Sequence, residues 1–154
     1  MKNLLIAIAL TLTFAGCNAQ KSQPVPDDIK PAFPTAQSVT LKKNLYTVSD
    51  NEGKVIGYAA YSKPASDGIN GFKGETPLLV VFGTDKKVKQ VILLPNMDTP
   101  GYVEHMKKGG LLNAWNGLTP KEALSKDVDA VAGATYTSRG VINTMKKTLE
   151  NIKL

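Results

Sequence analysis

Apolar residues follow four different patterns along the chain. Residues 4–15, LLIAIALTLTFA, form an almost unbroken apolar run behind the positive start Met1-Lys2-Asn3. The run is too short for a bilayer core, which takes about twenty residues, and has the length of a secretory signal's apolar region. Residues 18–38, NAQKSQPVPDDIKPAFPTAQS, hold few large apolar side chains and four prolines, Pro24, Pro26, Pro31 and Pro34. Proline fixes φ and removes a donor, so an extended spacer is expected, reaching up to roughly 60 Å at about 3.1 Å per residue. Short β-type runs come next. Residues 45–48 and 55–61 flank the turn Asp50-Asn51-Glu52-Gly53, which predicts a hairpin. After the polar, glycine-containing stretch 62–76, the continuous apolar runs 78–82 and 88–94 predict core strands joined by Gly83-Thr84-Asp85-Lys86-Lys87.

The fourth pattern is helical. Val141, Ile142, Met145, Leu149 and Ile152 recur at three- and four-residue spacing, with Thr137 or Ser138 as the expected cap. Between strands and helix, residues 102–108 and 111–115 predict two short helices. Thr119-Pro120-Lys121-Glu122 predicts another helix start, with Thr119 as cap and Pro120 in the first turn. Residues 129–131 read as a brief extended piece. Hairpin strands followed by helices give an α+β domain over residues 39–154, with a mostly antiparallel sheet flanked by helices. Met145 and Tyr58 are expected simply to fill its core.

Composition narrows the chemistry. One Cys among 154 residues excludes a disulfide scaffold or a CxxC…CxxC site, and one His makes a His-built metal site improbable. No metal site is expected. The formal charge of +6 suggests nucleic acid, but all the cations but one are Lys and they are scattered. Nucleic-acid binders cluster their charge and interleave aromatics, so no nucleic-acid partner is expected.

The single cysteine ends the apolar run, in Phe14-Ala15-Gly16-Cys17. Small residues before it resemble the lipobox of bacterial lipoproteins. The resemblance implies cleavage after residue 16 and acylation of Cys17, which anchors a chain to a membrane without a spanning helix. The alternative is an ordinary signal peptide cut near Ala19. Cleavage after residue 16 also removes Lys2 and leaves a formal charge of +5. The expected location is the extracytoplasmic cell envelope, on the periplasmic face of a bacterial membrane.

One stretch stands apart: Asp129-Ala130-Val131-Ala132-Gly133-Ala134-Thr135-Tyr136-Thr137-Ser138-Arg139-Gly140-Val141. Small residues at 132–134 let the backbone approach a ligand closely. Hydroxyls, free N–H groups and the only Arg then gather at a helix start, which suits a phosphate. The plain alternative is a capped loop with a tight turn at Gly133.

This stretch resembles the flavinylation motif of the FMN-binding domain family, which includes the flavin-carrying subunits of the Rnf and sodium-translocating NADH:quinone oxidoreductase complexes. The family pattern runs Asp, two variable residues, Ser/Thr, Gly, Ala, then Thr or Ser. Asp129, Gly133 and Ala134 match it, and Thr135 stands at the attachment position, followed by Thr137 and Ser138. Ala132 departs from the usual Ser or Thr. A second match, Asp98-Thr99-Pro100-Gly101, resembles the family's Glu-Thr-Pro-Gly turn beside the flavin, with Asp for Glu. Gly71-Phe72-Lys73-Gly74 is similar to its glycine-rich approach to the central strand. The resemblance implies FMN joined to Thr135 by a phosphoester, installed from FAD by a flavin transferase that recognises Asp129. With a flavin there, Asp98 is a candidate acceptor for a ring N–H, and Tyr102, Phe72 or Trp115 are candidates to stack on the ring. For Phe72 and Trp115 ordinary packing is the alternative.

A threonine hydroxyl is a weak nucleophile, and with no His or Cys nearby the activating base is expected to come from the transferase. His105, on a short predicted helix, reads as an ordinary surface or core residue. Lys107-Lys108 and Lys146-Lys147 read as solvated helix faces. The resulting picture is a membrane-anchored flavoprotein that relays electrons between membrane or extracytoplasmic redox partners, with no catalytic residue of its own. The alternatives are a non-covalent FMN-binding module and a flavin-dependent reductase of a small acceptor.

Overall fold

The computed structural model describes residues 22–154; the apolar leader and Cys17 lie outside the described residues. Five strands, β1 (Ser38–Lys42), β2 (Leu45–Ser49), β3 (Val55–Tyr61), β4 (Leu78–Phe82) and β5 (Val88–Leu93), form one antiparallel sheet in chain order. Helices α1 (Pro100–Lys108), α2 (Pro120–Ser125) and α3 (Thr135–Glu150) follow, with a 3-10 turn at Leu111–Asn113. The expected α+β class is observed. Among the described residues no helix is long and apolar enough to cross a membrane.

β4 shows why a continuous apolar run forms a strand here. All five of its residues are buried, and side chains alternate between the two faces of a strand. Leu78, Val80 and Phe82 point to the helical side, where they pack with Val141, Met145 and Leu149 of α3 and with Met106 and Trp115. Leu79 and Val81 point the other way, into a second cluster.

That second cluster corrects the expected spacer. Val25, Ile29 and Phe33 are buried there against Val39, Val48, Leu79 and Val81. The segment from Gln23 to Ala36 is a strap across the outer face of the sheet. Its first residue pairs with β1 through Gln23 N–H to the Val39 carbonyl (2.8 Å) and Val39 N–H to the Gln23 carbonyl (2.9 Å). Successive tight turns, with the Ile29 and Phe33 amides bonded to the Pro26 and Ile29 carbonyls, bring three apolar residues spaced by four onto one side. The Phe33 ring sits against Gly57, where a Cβ would collide with it. Replacing Phe33 by alanine is expected to cost about 3–5 kcal/mol, by loss of buried area and the cavity left behind. Urea denaturation measures this, and a loss below about 1 kcal/mol, the range of exposed positions, would contradict the packing.

Other expectations hold with adjusted edges. The β2–β3 turn is closed by Asp50 N–H to the Lys54 carbonyl, with Gly53 at φ 76°. Helix α1 begins at Pro100, two residues earlier than expected, because proline suits the first helical position. Thr119 and Glu122 form a reciprocal capping box on α2. The region 111–115 forms only the 3-10 turn. Residues 129–131 form no strand; the Val131 N–H goes instead to the Ser138 hydroxyl at 3.1 Å.

The register fixes the two ends of the sheet. Lys42 lies opposite Leu45, Tyr61 opposite Leu79 and Leu78 opposite Leu93. The ends of β1, β3 and β5 and the starts of β2 and β4 therefore share one end. The loop carrying residues 71–74 and the turn at Asp98 leave from that end.

Candidate functional site

Asp98 organises the site. It is 4% exposed, and its carboxylate accepts four hydrogen bonds from three separate segments. The Lys73 N–H (2.7 Å) and Thr99 N–H (2.8 Å) donate to Oδ1, and the Phe72 N–H (3.2 Å) and Thr137 hydroxyl (2.7 Å) donate to Oδ2. Burial pushes the carboxyl up, but the hydrogen bonds from Lys73, Thr137, Thr99 and Phe72 outweigh it and hold the group below its ordinary value. These bonds engage both oxygens within the protein. Asp98 is therefore a strut joining the 71–74 loop, the turn before α1 and the start of α3, a different task from the ring contact expected of it.

Two glycines permit that junction. A Cβ on Gly71 would overlap the Asp98 carboxylate, and one on Gly140 would lie 2.8 Å from the backbone of Asn70 and Gly71. The 71–74 loop thus lies directly on the side of α3. On an exposed helix Gly→Ala gains about 1 kcal/mol; at Gly140 the overlap with rigid backbone should cost about 1–3 kcal/mol and reverse the sign. Gly140→Ala is expected to lower the urea midpoint, and a raised midpoint would show that the loop gives way freely.

The start of α3 differs from expectation in its cap. Its N-cap is Ala134, with no side-chain cap bond, and Thr135 is the first helical residue. Thr137 and Ser138 do not cap, because both are buried one turn inside, bonded to Asp98 and Val131. The first amides of the helix consequently keep no acceptor within it. Gly133, at φ 80°, takes the left-handed turn that delivers the chain into the helix.

His105 supports this loop. Its Nε2 lies 2.8 Å from the Ala132 carbonyl, an acceptor, so Nε2 carries the proton and donates. The fold thus brings a histidine to the loop that the sequence leaves without one, but the nitrogen facing it serves as a prop and offers no base to Thr135. Tyr102 and His105 sit three apart on α1, the spacing that places both on one side of a helix.

A cleft of about 250 Å³ opens where these segments meet, lined by Phe72, Tyr102, Gly133, Ala134, Thr135, Tyr136 and Thr137. Thr135 is exposed in it. The Phe72 and Tyr102 rings pack edge-on at 5.0 Å and Phe72 lies 6.1 Å from Tyr136. Pocket walls are commonly apolar with a few placed polar groups. Sequence reasoning gave Tyr136 no role; its place at the second helical position, beside the exposed Thr135, was the available signal.

The remaining predicted residues are distributed unevenly. Thr99 caps α1 by position, and its hydroxyl is buried with no partner among the described residues. Pro100 and Gly101 form the first turn of that helix. Asp129 and Arg139 are exposed. Trp115 is excluded from any stacking role: it is 2% exposed in the core, next to the segment Gly117-Leu118 that pairs with Val88 at the opposite end of β5 from Asp98.

The residues present fit a flavin phosphate and ring: free helix amides, an exposed hydroxyl, an unpartnered buried hydroxyl nearby and an aromatic wall. No curated protein matches the chain. Among solved structures, that of Shewanella oneidensis NqrC resembles it at 21% identity and a TM-score of 0.48, covering 84% of this chain and 64% of that one. The chain therefore spans less than two thirds of that protein's length. A sequence model described as FMN-binding domain matches residues 71–150, a stretch that opens at Gly71 in the Asp98 junction and closes at the last residue of α3. By that match over more than half its length, the chain belongs to the FMN-binding domain family.

Proposed function

We propose that the protein carries FMN covalently on Thr135 and acts as an electron-transfer relay anchored to the outside of a bacterial membrane through Cys17. The observation that carries this reading is the placement of Thr135: an exposed hydroxyl on the first residue of α3, inside an aromatic-lined cleft, within the FMN-binding stretch. Bound flavin supplies one- and two-electron chemistry that no side chain here offers.

The chain's own residues prepare the attachment point. Asp98 fixes the start of α3 through Thr137, and His105 fixes the preceding loop through Ala132. The Thr135 hydroxyl then presents to a transferase with no local base. The transfer joins Thr135 Oγ to the FMN phosphorus of FAD and releases AMP, with the hydroxyl proton taken by the transferase. The resulting phosphodiester keeps one negative charge beside the helix N-terminus, where the dipole favours it. Phe72, Tyr102 and Tyr136 offer faces for the ring system. The cleft, at about 250 Å³, is smaller than the ~300–1,000 Å³ that encloses a typical ligand, so these residues would hold a flavin without fully enclosing it. Asp129, exposed six residues before Thr135, is available to a transferase.

Co-expression with a flavin transferase, followed by denaturing electrophoresis, tests the covalent link. Flavin fluorescence on the protein band is expected. A dark band, with flavin recovered only in the native protein, would establish the non-covalent alternative.

A further inference from the structure

We infer that the flavin-cleft end of the domain faces the lipid surface to which the chain is anchored. This inference rests on the reading of Cys17 as the anchor. Two independent features of the fold support it. The first is the short leash. Because Gln23 to Ala36 is packed across the sheet, only Cys17 to Ser22 remains as tether, which spans at most roughly 18 Å when fully extended. Pairing between Gln23 and Val39 is antiparallel, so Ser22 lies on the Thr40–Lys42 side of that bridge. At Ser22 the chain therefore runs toward the sheet end that carries Lys42, the end shared with Asp98 and the 71–74 loop.

The second is the distribution of exposed apolar side chains. Leu41, Phe72, Met97, Tyr102 and Tyr136 are the large exposed apolar residues among the described residues, with Met97 at 89% and Tyr136 at 67%. Leu41 is the last residue but one of β1, Phe72 is in the β3–β4 loop, Met97 lies between β5 and α1, and Tyr102 and Tyr136, whose rings meet Phe72, lie in the first turns of helices. All five occupy the same end. Single exposed apolar residues are ordinary, but their gathering at one end marks a contact surface. Tyrosines favour the membrane–water interface. Lys42, Lys43 and Lys73 are exposed there and make no ion pair among the described residues; on the acidic side, Asp67 and Glu75 share Lys63, and Asp28 lies exposed at the same end. The three unpaired lysines beside this apolar patch can meet an anionic lipid headgroup layer.

Single thiols on the full acylated chain test the orientation, since acylation leaves no other free thiol. Met97→Cys at the cleft end and Glu52→Cys in the opposite β2–β3 turn each receive a nitroxide label, and the proteins are placed in phosphatidylcholine–phosphatidylglycerol vesicles. Position 97 is expected to collide with bilayer-dissolved oxygen and be shielded from an aqueous nickel chelate, with the reverse at position 52. Reversing Lys42, Lys43 and Lys73 to Glu should abolish the shielding at 97 while the anchor holds. Equal access of the chelate to both positions would overturn the orientation. Shielding that appears only in native membranes, and not in protein-free vesicles, would overturn it in favour of a protein occupant. An unacylated Cys17, read by mass, would remove the anchor and the inference together. A flavin-free band on a gel bears on Thr135 alone, because the label measurement does not use the flavin.

Discussion

Asp98→Ala is expected to destabilise the domain by about 3–5 kcal/mol, the largest effect of any polar substitution here. Three backbone N–H groups and the Thr137 hydroxyl lose their acceptor at once. A buried donor left without a partner costs about 1–3 kcal/mol, and water entering the vacated space recovers only part of four such losses. Asp98→Asn separates charge from shape. Its amide nitrogen would face donors where the carboxylate faces acceptor-seeking groups, so a cost of about 2–3 kcal/mol is expected. The pH dependence gives the sign. The folded-state value of Asp98 lies below its ordinary one. Its contribution is then fully present above the unfolded carboxyl value of about 3.9 and is lost as pH falls through the folded value. Urea midpoints followed from neutral to acid pH should show a steeper acid loss for the wild type than for Asp98→Asn. Parallel curves would show that the carboxylate charge contributes nothing to the junction.

The second large effect is chemical and leaves the fold alone. Thr135→Ala removes the only hydroxyl that is exposed on the first residue of α3, and all fluorescence that survives denaturation should disappear with it. Thr135→Ser keeps an oxygen at the same place and should retain the flavin. The first helical position is exposed and makes no side-chain cap, so neither change should move stability by more than about 0.5 kcal/mol. Fluorescence persisting in Thr135→Ala would place the attachment elsewhere; Thr137 and Ser138, both buried and hydrogen-bonded, are poor substitutes.

Much of this was legible along the chain, and the illegible parts share a cause. The apolar runs of β4 and β5 and the three-four spacing of α3 report their own burial, so a linear pattern suffices. The motif around Thr135 is contiguous and could be read whole. Asp98 and Thr137, in contrast, are 39 residues apart and meet only through the fold, so no local pattern ties them. The strap was missed because Val25, Ile29 and Phe33 are diluted by prolines and charged residues into the composition of a linker. A physical clue was nonetheless present. A strand apolar at every position needs cover on both faces, and the helices after it cover only one. The chain before β1 was the available second cover.

The strap has a consequence for the order in which the molecule is built. It is synthesised before every strand, yet the surface that receives it is assembled from β1 to β4, with Ile92 and Leu94 at its margin. Until that surface exists, its three apolar residues have nowhere to go. Pro24, Pro26, Pro31 and Pro34 deny it a long helix or a central strand during the wait. Contacts between the first described residues and a completed sheet are distant in sequence, and such contacts form slowly. The strap is therefore made before the surface that receives it, a clasp that closes on a sheet already made.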